Sequence, residues 1–213
     1  MTRSRIRPNA LAPKRLLPSE TERSLTARQL EILDSLEKSI MTESLADVTM
    51  AEIARRMSCS LRTLYGIAPS RDELVLAVVD RRLQRIGREA IATLDRDGTS
   101  LERLRAYLGS ANHAVHPAMT IFSRDFAKDP AATRLLDSHA SYVISVTQAL
   151  LDEAVAVGEI EPIDTVALAR TLGGLGAEFS RPEVDETIKG TPKEAADAVA
   201  DIIFAGLATR VVW

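Results

Sequence analysis

Along most of the chain, apolar residues recur at intervals of three and four, as in Leu30, Leu33 and Ile40 and again in Leu168, Leu172, Leu175 and Phe179. No stretch alternates with period two, so the pattern predicts helices without a sheet. Helix starts are marked by side chains able to satisfy backbone N–H groups that a first turn leaves unpaired. These are Thr26-x-x-Gln29, Thr49-x-x-Glu52, Ser70-x-x-Glu73, Thr99-x-x-Glu102 and Thr191-Pro192-x-Glu194. Prolines at 69, 117, 130, 162, 182 and 192 fall between apolar patterns. Together these signals predict an all-α chain with helices over 27–42, 50–57, 61–66, 71–94, 100–114, 117–127, 131–157, 163–179 and 192–210. Pro8, Pro13 and Pro18 lie among Arg3, Arg5, Arg7, Lys14 and Arg15 with no apolar period. Residues 1–24 therefore read as a flexible basic arm, either touching a polyanion or serving only as a solvated tail.

The 213 residues, 46% hydrophobic and 27% charged, suffice for a substantial core and exclude wholesale disorder. The single cysteine, Cys59, excludes a disulfide framework and a cysteine-based zinc site. A net charge of −3 conceals an asymmetry. Residues 1–85 hold 15 Lys/Arg against 11 Asp/Glu, and the remainder 12 against 19, which directs any polyanion toward the first part. No apolar run follows the basic start, so no signal peptide is expected. The longest uncharged stretch, residues 106–123, contains Gly109, Asn112, His113, His116 and Pro117, unlike a membrane span. A soluble, cytoplasmic protein with no membrane contact is expected.

Residues 49–66 carry the most informative pattern. A capped short helix ends at Met57, Ser58-Cys59-Ser60 make a tight break, and a second short helix starts at Leu61 with Ser60 as N-cap and Gly66 as its stop. This is the layout of a helix-turn-helix. Ile53, Ala54, Met57, Cys59 and Leu64 are its expected inward residues. Leu61, Arg62, Thr63 and Tyr65 are expected to face outward near the end that enters a major groove in this motif.

Three blocks extend the pattern: Val48-Thr49-Met50-Ala51-Glu52-Ile53-Ala54, then Ser60-Leu61-Arg62-Thr63-Leu64-Tyr65, then Pro69-Ser70-Arg71-Asp72-Glu73-Leu74. In this order and spacing, residues 26–80 resemble the N-terminal domain of the TetR family of transcriptional repressors. The resemblance implies an all-helical homodimer: residues 25–70 a helix-turn-helix domain binding double-stranded operator DNA, residues 71–213 a helical bundle for ligand binding and dimerisation. It also implies phosphate contacts for Tyr65 and Arg71. Two departures stand out. Ser58 occupies a position where the family usually has glycine, and Gly66, Ile67 and Ala68 replace an aromatic-rich segment.

The expected DNA-binding residues are Thr49, Ser60, Leu61, Arg62, Thr63, Tyr65 and Arg71. A guanidinium at Arg62 can bond bidentately to guanine, and Leu61 can meet a thymine methyl. Thr63 can reach a base or a phosphate, and the helix capped by Thr49 aims free N–H groups at the backbone. Three of them have plainer readings: Arg62 as a solvated arginine, Thr49 as a cap alone, Tyr65 as core packing.

Residues 107–142 hold all three histidines with Phe122, Phe126 and Met119, a composition suited to an apolar cleft with a few orienting polar groups. Tyr107, His113, His116, Met119, Phe122 and Tyr142 are the pocket candidates, for a small apolar or aromatic effector, against an ordinary core as the alternative. His113-x-x-His116 has a spacing compatible with a metal pair, needing His139, Asp125 or Asp137 to complete it. With no His-Glu-x-x-His and no Gly-x-Ser-x-Gly, no metal, cofactor or catalytic residue is assigned. Gly173-Gly174-Leu175-Gly176 lies in an apolar helix and suits close helix approach at an interface, and Arg124-Asp125 reads as a surface ion pair or a buried anion clamp. The leading expectation is a ligand-responsive repressor that binds a pseudo-palindromic operator as a dimer. A same-fold regulator controlled by a protein partner, and a helical metal enzyme using His113 and His116, are the alternatives.

Overall fold

The computed structural model describes residues 12–17, 19–40, 42–43, 48–95, 97–179, 181–185 and 187–209, and among these every regular element is helical. In chain order they are α1 (Ser19–Ser24), α2 (Ala27–Ile40), α3 (Met50–Arg56), α4 (Leu61–Tyr65), α5 (Arg71–Ala92), α6 (Ser100–Ala111), α7 (Pro117–Asp125), α8 (Pro130–Ala156), α9 (Thr165–Phe179), α10 (Pro182–Asp185) and α11 (Pro192–Thr209). All nine helices expected from sequence are present within a few residues. The last turns expected in the helices at 71–94 and 100–114 tighten to 3-10 geometry over Thr93–Asp95 and Asn112–Ala114.

Two cores share one helix. In the head, Ile32, Leu33 and Leu36 of α2, Ile53 and Ala54 of α3 and Leu64 of α4 close on Leu74, Val75 and Val78 of α5. In the body, Leu104, Tyr107 and Leu108 of α6 meet Val146 and Leu150 of α8, Leu172 of α9 and Phe204 of α11, with Ala90 at the far end of α5. Helix α7 faces the head: Met119 and Phe122 join its core together with Phe126. Gly173 lets α9 lie against α8, since a Cβ there would sit 2.9 Å from the Ile144 Cα. The close approach anticipated for this glycine cluster is thus between two helices of the same chain.

Three of the five capping pairs close reciprocally, as the sequence indicates. Thr26 and Gln29 bond reciprocally, with Thr26 N–H to Gln29 Oε1 at 2.9 Å and Gln29 N–H to Thr26 Oγ1 at 3.2 Å. Thr99 and Glu102 make a complete capping box, and Thr191 and Glu194 do the same. Helix α6 is capped a second time, from a distance: the Glu159 carboxylate accepts from the Ser100 and Leu101 N–H groups at 2.8 and 3.1 Å. Acceptor charge at a helix N-terminus is doubly favourable, by hydrogen bonding and by the helix dipole.

The expected arm over residues 1–24 is corrected for its second half. Residues 1–11 lie outside the described residues. From Pro13 onward the segment is laid on α5: the Leu16 N–H donates to Asp80 Oδ2 at 2.8 Å, and Gln84 Nε2 donates to the Pro13 carbonyl at 3.0 Å. Helix α1 then brings Glu22 to both Arg15 (2.9 Å) and Arg81 (3.2 Å). Leu17 and Leu25 pack against the head core. One turn and a half of helix is too short to show an apolar period, so only these tertiary contacts reveal it.

Asp80 is 2% exposed and lies within the otherwise apolar run of residues 74–80. Its carboxylate accepts from the Leu16 N–H, from Gln84 Nε2 at 3.4 Å, and pairs with His139 Nε2 of α8 at 3.1 Å. A buried carboxylate is tolerated when donors surround it, and here they come from three separate parts of the chain.

The helix-turn-helix break contains backbone strain. Ser58 has φ of +47°, the only positive φ outside glycine among the described residues. The Ser58 N–H bonds to the Arg55 carbonyl and the Cys59 N–H to the Ala54 carbonyl, a Schellman closure. Gly158 makes the same closure at the end of α8, with φ of +74° and its following N–H on the Ala154 carbonyl. A side chain in this region costs about 1 kcal/mol, which glycine escapes at some cost in unfolded-state entropy. Ser58→Gly is expected to stabilise the chain by about 0.5 kcal/mol in urea unfolding. A destabilised variant would show that the serine side chain offsets the strain.

Candidate nucleic-acid interface

Helix α4 is only five residues long, and its position depends on its neighbours. Leu64, fully buried, anchors it to the head core. Ser60 accepts the Thr63 N–H at 3.1 Å and shares a hydroxyl contact of 2.8 Å with Thr63 Oγ1. From α2, Gln29 Nε2 donates to the Thr63 carbonyl at 3.3 Å, and a Cβ on Gly66 would lie 2.8 Å from that same nitrogen. Gly66 therefore admits the brace that fixes α4 against α2. Arg28 Nη2 donates to the Met57 carbonyl at 2.8 Å and holds the preceding turn.

These restraints leave one face of α4 bare. Leu61 is 43% exposed and Tyr65 54%, so Tyr65 is not core packing. Arg62 is exposed, and among the described residues no protein group is shown bonded to its guanidinium. Thr63 is half-buried and occupied by the cap. Thr49 is exposed and accepts the Glu52 N–H at 3.2 Å, so its hydroxyl serves as the cap of α3.

Other cations nearby are already neutralised. Glu52 receives Arg55 at 2.6 Å and Arg56 at 2.9 Å, and these side-chain hydrogen bonds hold its carboxyl down at about 2. Glu52 thus leaves the capping box that its spacing predicts and binds arginines of its own helix instead. Arg71 turns inward: Nε donates to the Val48 carbonyl at 3.2 Å, the guanidinium stacks 5.1 Å from the Phe126 ring centroid, and Nη2 is buried without a partner. Of the sequence candidates, Leu61, Arg62 and Tyr65 form an open face, Ser60, Thr63 and Thr49 build the caps beside it, and Arg71 joins the head to α7. The α2 residues Arg28 and Gln29, which set the pose of α4, were not singled out from sequence as parts of the site. The Thr26 cap places Gln29, but its reach to Thr63 is a tertiary contact.

No family model matches the chain. Two curated relatives, described as HTH-type transcriptional regulators in two strains of Mycobacterium tuberculosis, are each 37% identical over 75 residues. The matched part is 33% of this chain and 37% of each relative's length. Among solved structures, a transcriptional regulator from Cytophaga hutchinsonii superposes with a TM-score of 0.69 at 15% identity, covering 86% of this chain and 97% of that one. A TetR/AcrR-family regulator from Thermobifida fusca gives 0.67 at 18% identity, covering 85% and 98%. A TetR regulator from Haloarcula marismortui gives 0.68 at 16% identity, covering 84% and 97%. The fold is that of the TetR-family transcriptional regulators. In this TetR-type fold, α2–α4 form the helix-turn-helix head and α5 leads into the body.

The six pocket candidates do not share one cavity. Tyr107 is 2% exposed in the body core, where burial pushes its phenol well above the usual range. Tyr142 is half-buried on the edge of that core, its hydroxyl likewise raised by burial. Met119 and Phe122 belong to the head core, with Phe122 stacked on Phe126 at 4.9 Å between centroids. Only His113 and His116 line an open cleft, of about 450 Å³, beside α5. Composition alone cannot say which of two cores claims an apolar residue, and α7 gives its own to the head.

His113 Nδ1 lies 3.0 Å from the Ser110 carbonyl, and His139 is engaged by Asp80. Among the described residues no three His, Cys, Asp or Glu side chains group around a metal-sized space, and no helix is long and apolar enough to cross a membrane. Arg124 is 62% exposed and lies 3.5 Å from Asp125, whose side chain is 7% exposed, so the pair runs from the surface inward and matches neither reading fully.

Arg71→Ala is expected to lower stability by about 1–3 kcal/mol, through loss of the stacked cation and of the Val48 carbonyl's donor. Arg62→Ala, which removes no protein contact, is expected within about 0.5 kcal/mol of the parent. Denaturant unfolding of both checks this, and equal effects would contradict the inward placement of Arg71.

Proposed function

We propose that this chain is a DNA-binding transcriptional regulator of the TetR type, a repressor that binds a pseudo-palindromic operator as a homodimer and responds to a small effector. The observation that carries the reading is the bare face of α4, where Leu61, Arg62 and Tyr65 stand outward on a helix otherwise fixed at every side. A rigid helix with an unengaged guanidinium beside an apolar and a phenolic side chain suits reading of base edges from a major groove. Arg62 reads a guanine, Leu61 meets a thymine methyl, and Tyr65 reaches a phosphate. The α3 N-terminus at Thr49 adds a backbone-anion contact.

Dimerisation is supported by an apolar surface on the last long helices. Ile202 is 72% exposed with Ala198, Ala205 and Gly206 also exposed on α11, while Val166 at 47% and Ala167 are exposed on α9. Leu172 of α9, by contrast, is 2% exposed and packs within its own subunit. The dimer face is therefore centred on Ile202. Paired with a symmetric copy, α9 and α11 make a four-helix interface.

In an operator-shift series, Arg62→Ala is expected to relax base preference at one position per half-site, by about 1–3 kcal/mol. Affinity should fall steeply with salt, each neutralised phosphate adding about −0.9 to the slope of log K against log salt. Salt-independent binding, or unchanged base preference, would contradict the assignment. Ile202→Glu is expected to yield folded monomers with weakened operator binding, and sedimentation at micromolar concentration checks this. A parent chain that sediments as a monomer would overturn the dimer.

A further inference from the structure

The cleft beside α5 has walls of mixed chemistry. Ile86 and Val115 supply apolar surface, while Arg82, Arg85, Lys193, His113 and His116 meet a single carboxylate, Glu89. Lys193 is paired with Asp197, and Arg85 bonds Glu37 and Glu89. Arg82 is the cation left poorly met. Its side chain is 15% exposed, Nη1 stands 3.6 Å from Glu37 Oε1, Nη2 donates to the His113 carbonyl at 3.5 Å, and Nε is buried with no hydrogen-bond partner. An orphaned buried donor on a charged group carries the full cost of its lost hydration. An oxyanion in the cleft would give the Arg82 guanidinium the close charge-assisted partner that Glu37, at 3.6 Å, does not provide. Burial, and then the neighbouring Arg82, lower the His116 imidazole below its ordinary value, which disfavours its charged form.

Glu37 connects this wall to the head. It lies on α2, 13% exposed, with Arg85 Nη2 at 2.5 Å, Arg82 Nη1 at 3.6 Å and Arg81 Nη1 at 3.9 Å. Helix α2 also carries Gln29, the brace on Thr63 of the bare helix α4. We propose that the cleft binds a small organic carboxylate through Arg82, and that the anion competes with Glu37 for Arg82 and Arg85, loosening the tie between α2 and α5. The effector class is therefore anionic, with an apolar body lying on Ile86 and Val115. This rests on the reading of the chain as an effector-controlled regulator. Competition for one cation is a coupling that runs both ways: whatever weakens the Glu37 tie strengthens anion binding.

Calorimetric titration of the full chain at constant ionic strength tests it, with octanoate and benzoate as probes against octanol and benzyl alcohol. The expected result is that at least one acid binds about tenfold more tightly than its alcohol, the 1.4 kcal/mol scale of a charge-assisted bond. Arg82→Gln should bring the acid down to the alcohol's level, and Arg82→Lys should restore part of the difference. Glu37→Gln should tighten acid binding several-fold, an effect that a merely structural Arg82 does not produce. Acids that bind no better than alcohols, or an Arg82→Gln chain that binds the acid as the parent does, overturn the site. Unchanged or weaker acid binding by Glu37→Gln overturns the coupling. Release of operator DNA by a neutral compound alone sinks the carboxylate and leaves the regulator standing. Acid binding that never alters DNA affinity sinks the effector response and leaves the cleft.

Discussion

Helix α5 has to satisfy two hydrophobic cores at once, and the rest of the molecule is arranged around that constraint. Its 22 residues span about 33 Å. Residues 74–80 are buried on every face, which a single neighbouring helix cannot achieve. The head helices cover one side, α7 and the start of α8 another, and the segment from Pro13 to Ser24 closes the remainder. Asp80 sits where these three meet. Its carboxylate collects donors from the N-terminal segment, from α5 and from α8, so their relative placement is fixed by one buried acceptor. Non-polar contacts alone would allow the same elements to slide; a directional acceptor with partners on three sides does not.

Features written in local sequence were legible, because caps and turns depend on residues within a few positions of each other. The boundaries of α3 and α4 follow from Thr49 and Ser60, and the outward face of α4 follows from Leu64 being its apolar anchor. Ser58 shows the same rule from its less favourable side. The αL closure that Gly158 makes freely is imposed on a serine in the helix-turn-helix break, and the backbone hydrogen bonds from Ser58 and Cys59 retain it. The geometry of the turn is thus set by the need to end α3 and redirect the chain, with the residue type secondary.

What was not legible depends on partners far away in sequence. Arg71 reads as a cation at a helix start, yet α7 places Phe126 beneath it and the Val48 carbonyl within reach. Met119 and Phe122 read as pocket residues, but α7 lies against the head and the apolar side chains go with it. From sequence the later arginines of α5 have no assigned partner. Three of them converge on Glu37, a residue of α2 whose own pattern marks it only as polar. Periodicity identifies a side as polar without distinguishing water from a charged partner.

That distinction matters for how the head can respond to the body. Apolar packing between α2 and α5 is non-directional and falls off gradually with displacement, so it resists separation without favouring one angle. The Glu37 cluster is directional and charged, and its energy depends on what else the guanidinium groups can bond. Surface ion pairs contribute little in water, but Glu37 is largely shielded and its partners border a cleft whose contents can change. The same helix carries Gln29, which meets both the Thr63 carbonyl and the space left by Gly66. A shift of α2 of even a fraction of an ångström would therefore reach α4 directly, since no Cβ at residue 66 stands between them. The head is joined to the body by groups sensitive to charge, and this is the arrangement that the proposed effector response would use.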